Sequence, residues 1–213
     1  MKEANLLKAI QEAKEKSKKR NFVQTVELIL NFQKVDFSRP ENRIDVEVFL
    51  PKGRGKERKV CIIAGDELIV EAKKHADLVI HKNDLEKYDK KQAKKLAQEY
   101  DVFIAQADLM PLVGRILGPA LGPRGKMPKP VPPNVKLEPL IERLKNTIRI
   151  RTKGKFLPTV QAPIGVETMD DNDLLENAKA VINAIVEKLP NKFGNIKSIF
   201  VKTTMGPAVR VEL

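Results

Sequence analysis

The chain has 213 residues, with 40 Lys or Arg against 28 Asp or Glu, for a formal charge of +12. That length holds one large domain or two small ones with separate cores, and the excess of cation favours a polyanionic partner, nucleic acid first. One cysteine rules out an internal disulfide, two histidines beside it argue against a Cys/His zinc centre, and no apolar run approaches the ~18 residues that cross a bilayer.

Along the chain, Leu6, Ile10 and Ala13 share one helical face, which predicts an amphipathic helix ending near Lys18-Lys19-Arg20. Val26, Leu28, Leu30 and Phe32, then Ile44, Val46, Val48 and Leu50, alternate with more polar residues and predict strands with one buried face. The pattern changes after the turn-rich Pro51-Lys52-Gly53-Arg54-Gly55-Lys56. Short apolar runs at 60–64, 78–80 and 102–104 are separated by helical stretches at 67–75 and 84–100, as in a parallel βαβ layer buried on both faces. A further element at 109–117 leads into a loop dense in Gly and Pro, 118–134, and then a helix from 137 to about 148.

Beyond Lys153-Gly154-Lys155 the alternating pattern returns. Thr159-Val160-Gln161-Ala162 predicts a strand, Leu174, Ala178, Val181, Ile185 and Leu189 line one face of a helix, and runs at 199–201 and 209–211 supply closing strands. Neither end of the chain has enough apolar elements for a core, whereas together they make a two-helix, four-strand α+β layer. The expected architecture is therefore mixed α/β and α+β: a discontinuous α+β domain from residues 1–63 and 158–213, and an α/β domain inserted at 64–157.

Catalytic chemistry has little to stand on. His75 and His81 lie in no nucleophile or metal motif, and there is no Gly-x-Ser-x-Gly elbow. After the first strand of the inserted domain, Ala64-Gly65-Asp66-Glu67-Leu68 places acid where a phosphate turn needs closely spaced glycines. In the 118–134 loop the Gly-Lys pair has the wrong upstream spacing for a P-loop, with Met127 where a magnesium-binding hydroxyl belongs. No catalytic residue, metal or cofactor is expected. Arg115, Arg124, Lys126 and Lys129, held apart by prolines, fit either a stiff cationic platform or a rigid surface loop. Lys87, Lys90, Lys91, Lys94 and Lys95 read as a solvated helix face. Near the end, Thr204 offers a hydroxyl, Met205 a deformable apolar surface and Gly206 an approachable backbone for RNA, although a tight connection is the plainer reading of the same residues.

Two segments carry a resemblance. Gly-Pro-Arg-Gly-Lys-Met-Pro at 122–128 and Thr-Thr-Met-Gly-Pro-Ala at 203–208, in that order, with Lys-Gly-Lys-Phe at 153–156 and Ala-Pro-Ile-Gly at 162–165, closely resemble hallmark segments of the ribosomal protein L-one family, in its archaeal form. The resemblance covers essentially the whole chain. It implies a discontinuous terminal domain, an inserted Rossmann-like domain without nucleotide, and a structural role in the large ribosomal subunit rather than an enzymatic one. It also implies that Glu27, Phe37, Ser198, Thr204, Met205 and Gly206 meet a helical junction of large-subunit rRNA at the mobile stalk, with an exposed ring at Phe37. Assistance to deacylated tRNA leaving the exit site, repression of the protein's own mRNA, a cytoplasmic, ribosome-bound location and a monomer off the ribosome are implied in the same way. The competing readings are a nucleotide-dependent enzyme on the inserted domain and a non-ribosomal RNA-binding module of the same fold.

Overall fold

Leu6, Ala9, Ile10 and Ala13 fall on one stripe of helix α1 (Glu3–Glu15), and all four are buried, as an amphipathic helix lying on a sheet requires. The computed structural model describes residues 2–152 and 157–212, so the Lys-Gly-Lys-Phe stretch lies outside the described residues. After α1 come strands β1 (Thr25–Phe32) and β2 (Asp45–Phe49), the first strictly alternating buried and half-buried positions.

The chain then enters a second compact unit, Glu57–Lys145, flanked by a first unit of Met1–Lys56 with Asn146–Leu213. In chain order the second unit holds β3 (Val60–Ala64), α2 (Ile69–His75), β4 (Leu78–His81), α3 (Lys90–Glu99), β5 (Val102–Gln106), α4 (Met110–Ile116), the short α5 (Gly118–Leu121), β6 (Lys129–Val131) and α6 (Leu137–Asn146). Its sheet is parallel, in the order β4-β3-β5-β6. Every residue of β3 is buried, with Cys61 and Ile63 in one core and Val60, Ile62 and Ala64 in the other. That two-sided burial is why the run lacks polar alternation, and it pushes the Cys61 thiol up to about 12.

The return segment supplies β7 (Thr147–Arg151), β8 (Thr159–Val166), α7 (Asp171–Val186), β9 (Ile196–Thr203) and β10 (Val209–Val211). The sheet of the first unit is antiparallel, in the order β10-β9-β1-β8, and β2 pairs with β7 as a separate ribbon. One core joins α1, α7, the sheet and the ribbon. Buried Asn177 on α7 ties them further. Its amide donates to the carbonyls of Gly53 and Ile164 at 2.8 Å, and its carbonyl accepts from the Lys52 N–H at 3.0 Å.

Three expectations change. The crossings between units fall at 56/57 and 145/146 rather than after 63 and 157, because β3 is an inner strand of the parallel sheet and β7 completes the ribbon. The helix from 137 stops at Asn146, and Thr147-Ile148-Arg149-Ile150-Arg151 alternates exposed and buried as a strand. The 118–134 segment is not all loop: it contains a helical turn and the edge strand β6, where Pro130 is tolerated because an edge strand has one unpaired side.

Candidate nucleic-acid interface

The buried side of the antiparallel sheet is set by Val26, Leu28, Leu30 and Phe32, so the odd-numbered residues of β1 project from the other face. Pairing places neighbours in rows there: Pro163, Glu27 and Lys202; then Gln161, Ile29, Phe200 and Arg210; then Thr159, Asn31 and Ser198. Two of the residues expected at the site, Glu27 and Ser198, thus share one face. Glu27 is half-buried. Opposite it, the Lys202 ammonium donates to the Thr204 carbonyl at 3.0 Å. Ser198 is only 8% exposed, its hydroxyl accepting from the Asn31 amide at 3.1 Å.

The turn that follows β9 lies at the end of this face. Thr204 prolongs the ladder: its N–H donates to the Thr25 carbonyl at 3.0 Å, and its hydroxyl accepts from the Thr25 N–H at 3.0 Å. Met205 then stands 60% exposed. A Cβ on Gly206 would come within 2.3 Å of Thr203 Oγ1, so no larger residue fits without moving the turn.

Beneath the turn lies a polar cluster that no sequence motif announced. Gln24 is fully buried, and its carbonyl accepts from the Met205 N–H at 3.1 Å. Its amide points toward Ser17 Oγ at 2.9 Å, the Lys18 carbonyl at 3.1 Å and Glu167 Oε2 at 3.1 Å. Glu167 Oε1 accepts from the Gln24 N–H at 2.9 Å, and Ser17 and Thr203 share a hydrogen bond of 2.8 Å. Burial of so many polar atoms is tolerable only because each finds a partner. Sequence reasoning also passed over Ile29, Phe200, Lys202 and Arg210. The period of two counted from Glu27 and Ser198 finds the first three, whereas Arg210 joins them only through the pairing of β10 with β9.

Phe37 departs from expectation. Its ring is 3% exposed and packs on Phe32, centroids 5.5 Å apart and tilted by 47°. It is core, so it supports the segment after β1 and presents no stacking surface.

The Gly-Pro-Arg-Gly-Lys-Met segment has a structural task. Lys126 Nζ donates to the carbonyls of Ala97 at 3.1 Å and Tyr100 at 2.7 Å and reaches the Asp101 carboxylate at 3.2 Å, while Arg124 donates to the Lys94 carbonyl at 2.9 Å. Lys126 closes the carbonyl-rich end of α3, where positive charge is favoured, and Arg124 braces the middle of the helix at Lys94. Gly125 sits at φ +67°, a left-handed position that suits glycine.

In the parallel sheet, the crevice where strand order reverses lies between β3 and β5, the usual place for a nucleotide. Here the Gly65 N–H donates to Gln106 Oε1 at 2.9 Å. Beside it, Asp66 is held below the usual carboxylate range by hydrogen bonds from Lys82 and His81. An occupied amide next to a carboxylate disfavours phosphate.

A profile of the Ribosomal protein L1p/L10e family matches residues 13–207. The chain is 51% identical over 209 residues to the large ribosomal subunit protein uL1 of Methanothermobacter thermautotrophicus, spanning 97% of this chain and 98% of the relative. It is 53% identical over 210 residues to the large ribosomal subunit protein uL1 of Thermococcus kodakarensis, spanning 97% and 96%. Across nearly its whole length, then, the chain belongs to the ribosomal protein L1p/L10e family and resembles its archaeal members.

Proposed function

We propose that this protein is a structural constituent of the large ribosomal subunit whose terminal unit binds large-subunit rRNA at the mobile stalk. The observation that carries the reading is the sheet face that Glu27 and Ser198 share, closed at its end by the Thr204 turn, which bonds Thr25 and presents the exposed Met205. The residue types suit RNA. Lys202 and Arg210 supply a salt-sensitive attraction to phosphates. Glu27 repels phosphate but accepts from 2′-hydroxyls or base amino groups, and Met205 covers a ribose or base and excludes water. Shape is read more than sequence. Help in releasing exit-site tRNA, repression of the protein's own mRNA, a cytoplasmic location on the ribosome and a monomeric state off it rest on the family resemblance.

The test is affinity of the full chain for an archaeal rRNA fragment containing the stalk junction, against an unrelated duplex of equal length. The junction binds far more tightly, and Glu27→Gln narrows the gap from both sides by weakening the junction and strengthening the unrelated RNA. Equal affinity for both RNAs would refute the reading.

A further inference from the structure

We propose that the Phe193 turn and the Lys34 bend, at the end of the antiparallel sheet remote from Met205, form a second RNA contact. It takes an unpaired nucleotide, stacking the base on the Phe193 ring and holding the adjoining phosphates with Lys34 and Lys192.

In the sheet Val26 lies opposite Thr203 and Phe32 opposite Ile196, so Gln33 and Asn195 mark the end away from the Met205 turn, about 20 Å distant along strands of this length. Two segments are joined there. The Gln33 N–H donates to the Asn195 carbonyl at 2.8 Å, and the Asn195 amide donates to the Gln33 carbonyl at 3.1 Å. Asn195 is fully buried, and its side-chain oxygen accepts from the Asn191 N–H at 2.7 Å. One buried side chain therefore fixes both the bend after β1 and the turn of 3-10 helix at Lys192–Asn195.

Each segment carries a lysine in the left-handed conformation, Lys34 at φ +57° and Lys192 at φ +49°, and these are the two non-glycine residues with positive φ among the described residues. That backbone costs free energy at a residue with a Cβ, and glycine or asparagine adopts it more easily. Lysine at both places indicates that the ammonium groups serve something besides the fold. Both side chains are exposed, as are Lys188 and Lys197 on either side of the turn, and none of the four pairs with a carboxylate among the described residues. Asp36, two residues after Lys34, is already engaged by the Ser38 N–H and by Arg39.

Phe193 stands 50% exposed among these cations, the one large exposed apolar side chain of the two segments. A protein partner needs about 800 Å² per side built round an apolar core, which a single ring does not supply. A single ring is enough to stack one base, and the lysines around it suit the phosphates on either side of that base.

The experiment titrates the full chain with a single-stranded oligouridylate carrying one 2-aminopurine, whose emission responds to stacking, across a potassium chloride series. Binding is saturable and changes the emission. Phe193→Ser weakens it by roughly 5- to 100-fold and removes the emission change, with the salt slope unaltered. Lys34→Asn together with Lys192→Asn lowers the slope of log affinity against log salt by about 1 to 1.5, while thermal unfolding stays at the wild-type temperature or rises, because asparagine suits both backbone positions. Wild-type affinity and emission in Phe193→Ser would overturn the proposal, as would a lysine variant that unfolds earlier yet binds the oligonucleotide normally. Polyglutamate bound more tightly than the oligonucleotide, and lost in the lysine variant, would give the patch to an acidic protein and overturn it too. Met205→Ala leaves oligonucleotide binding intact; its loss there, with normal binding in the Phe193 and lysine variants, would place the oligonucleotide on the Glu27 face instead. The reading of that face does not depend on this result, since it is tested with the junction against a duplex.

Discussion

The hydroxyl of Thr204 is engaged by the backbone of Thr25, accepting from its N–H at 3.0 Å and lying 3.3 Å from its carbonyl oxygen. The side chain that the family resemblance assigns to RNA is thus also a ladder element of the sheet. Thr204→Val leaves the Thr25 N–H without that acceptor and lowers stability by about 1 kcal/mol. Thr204→Ser restores it. Urea denaturation measures the first effect, and RNA titration shows the Val variant weakened with no change in salt slope.

Phe37 gives a second test, because its ring packs on Phe32 inside the core. Phe37→Ala costs about 3 to 5 kcal/mol of stability by opening a cavity. Phe37→Leu recovers most of that and, if the ring acts only as core, recovers RNA affinity as well. A stable Leu variant with weak binding would show that the ring itself meets RNA.

Lys126 separates structure from recognition within the other family segment. Lys126→Met strips the end of α3 of its cation and should cost about 1 to 2 kcal/mol, read as a lower Tm in the absence of RNA. Affinity for the stalk-junction fragment stays at the wild-type value.

The ribbon supplies a pH dependence. Arg149 grips Asp45 with two hydrogen bonds, 2.7 and 2.5 Å, and these hold the Asp45 carboxyl below its ordinary value of 3.8. A depressed folded-state pKa contributes stability that is complete above 3.8 and disappears as pH falls from there through the folded value. Both side chains are about half exposed, 50% and 48%, so screening limits the contribution to a few tenths of a kcal/mol. Asp45→Asn is less stable than wild type by that amount at pH 7, and the difference shrinks as pH falls below 3.8, measured by urea denaturation at each pH.

Patterns local in the chain were legible in advance. Val60–Ala64 is apolar at every position because it is buried on both faces, and the stripes of α1 and α7 declare which sides they bury. The strand Thr147–Arg151 is readable from its alternation, but it follows α6 without a Gly or Pro between them, so the helical pattern runs about two residues past the true end at Asn146. Phe37 and Lys126 could not be placed from the sequence. Whether a ring is covered or an ammonium engaged depends on segments distant in the chain. The Gln24 cluster is the extreme case, gathered from residues 17, 18, 24, 167 and 205. The chain is not an enzyme, as its family shows. That conclusion needed the two resemblance segments, since a parallel sheet alone carries no function.

The strand order of the antiparallel sheet governs how the protein can be made. β1 leaves the ribosome early, yet its strand partners among the described residues are β8 and β9, so its apolar side must wait while the intervening unit, Glu57–Lys145, is synthesised and can fold on its own local contacts. The face carrying Glu27, Ser198 and Thr204 comes into existence only when β9 has joined β1. On the proposed reading, a chain interrupted before β9 therefore lacks the surface that meets RNA.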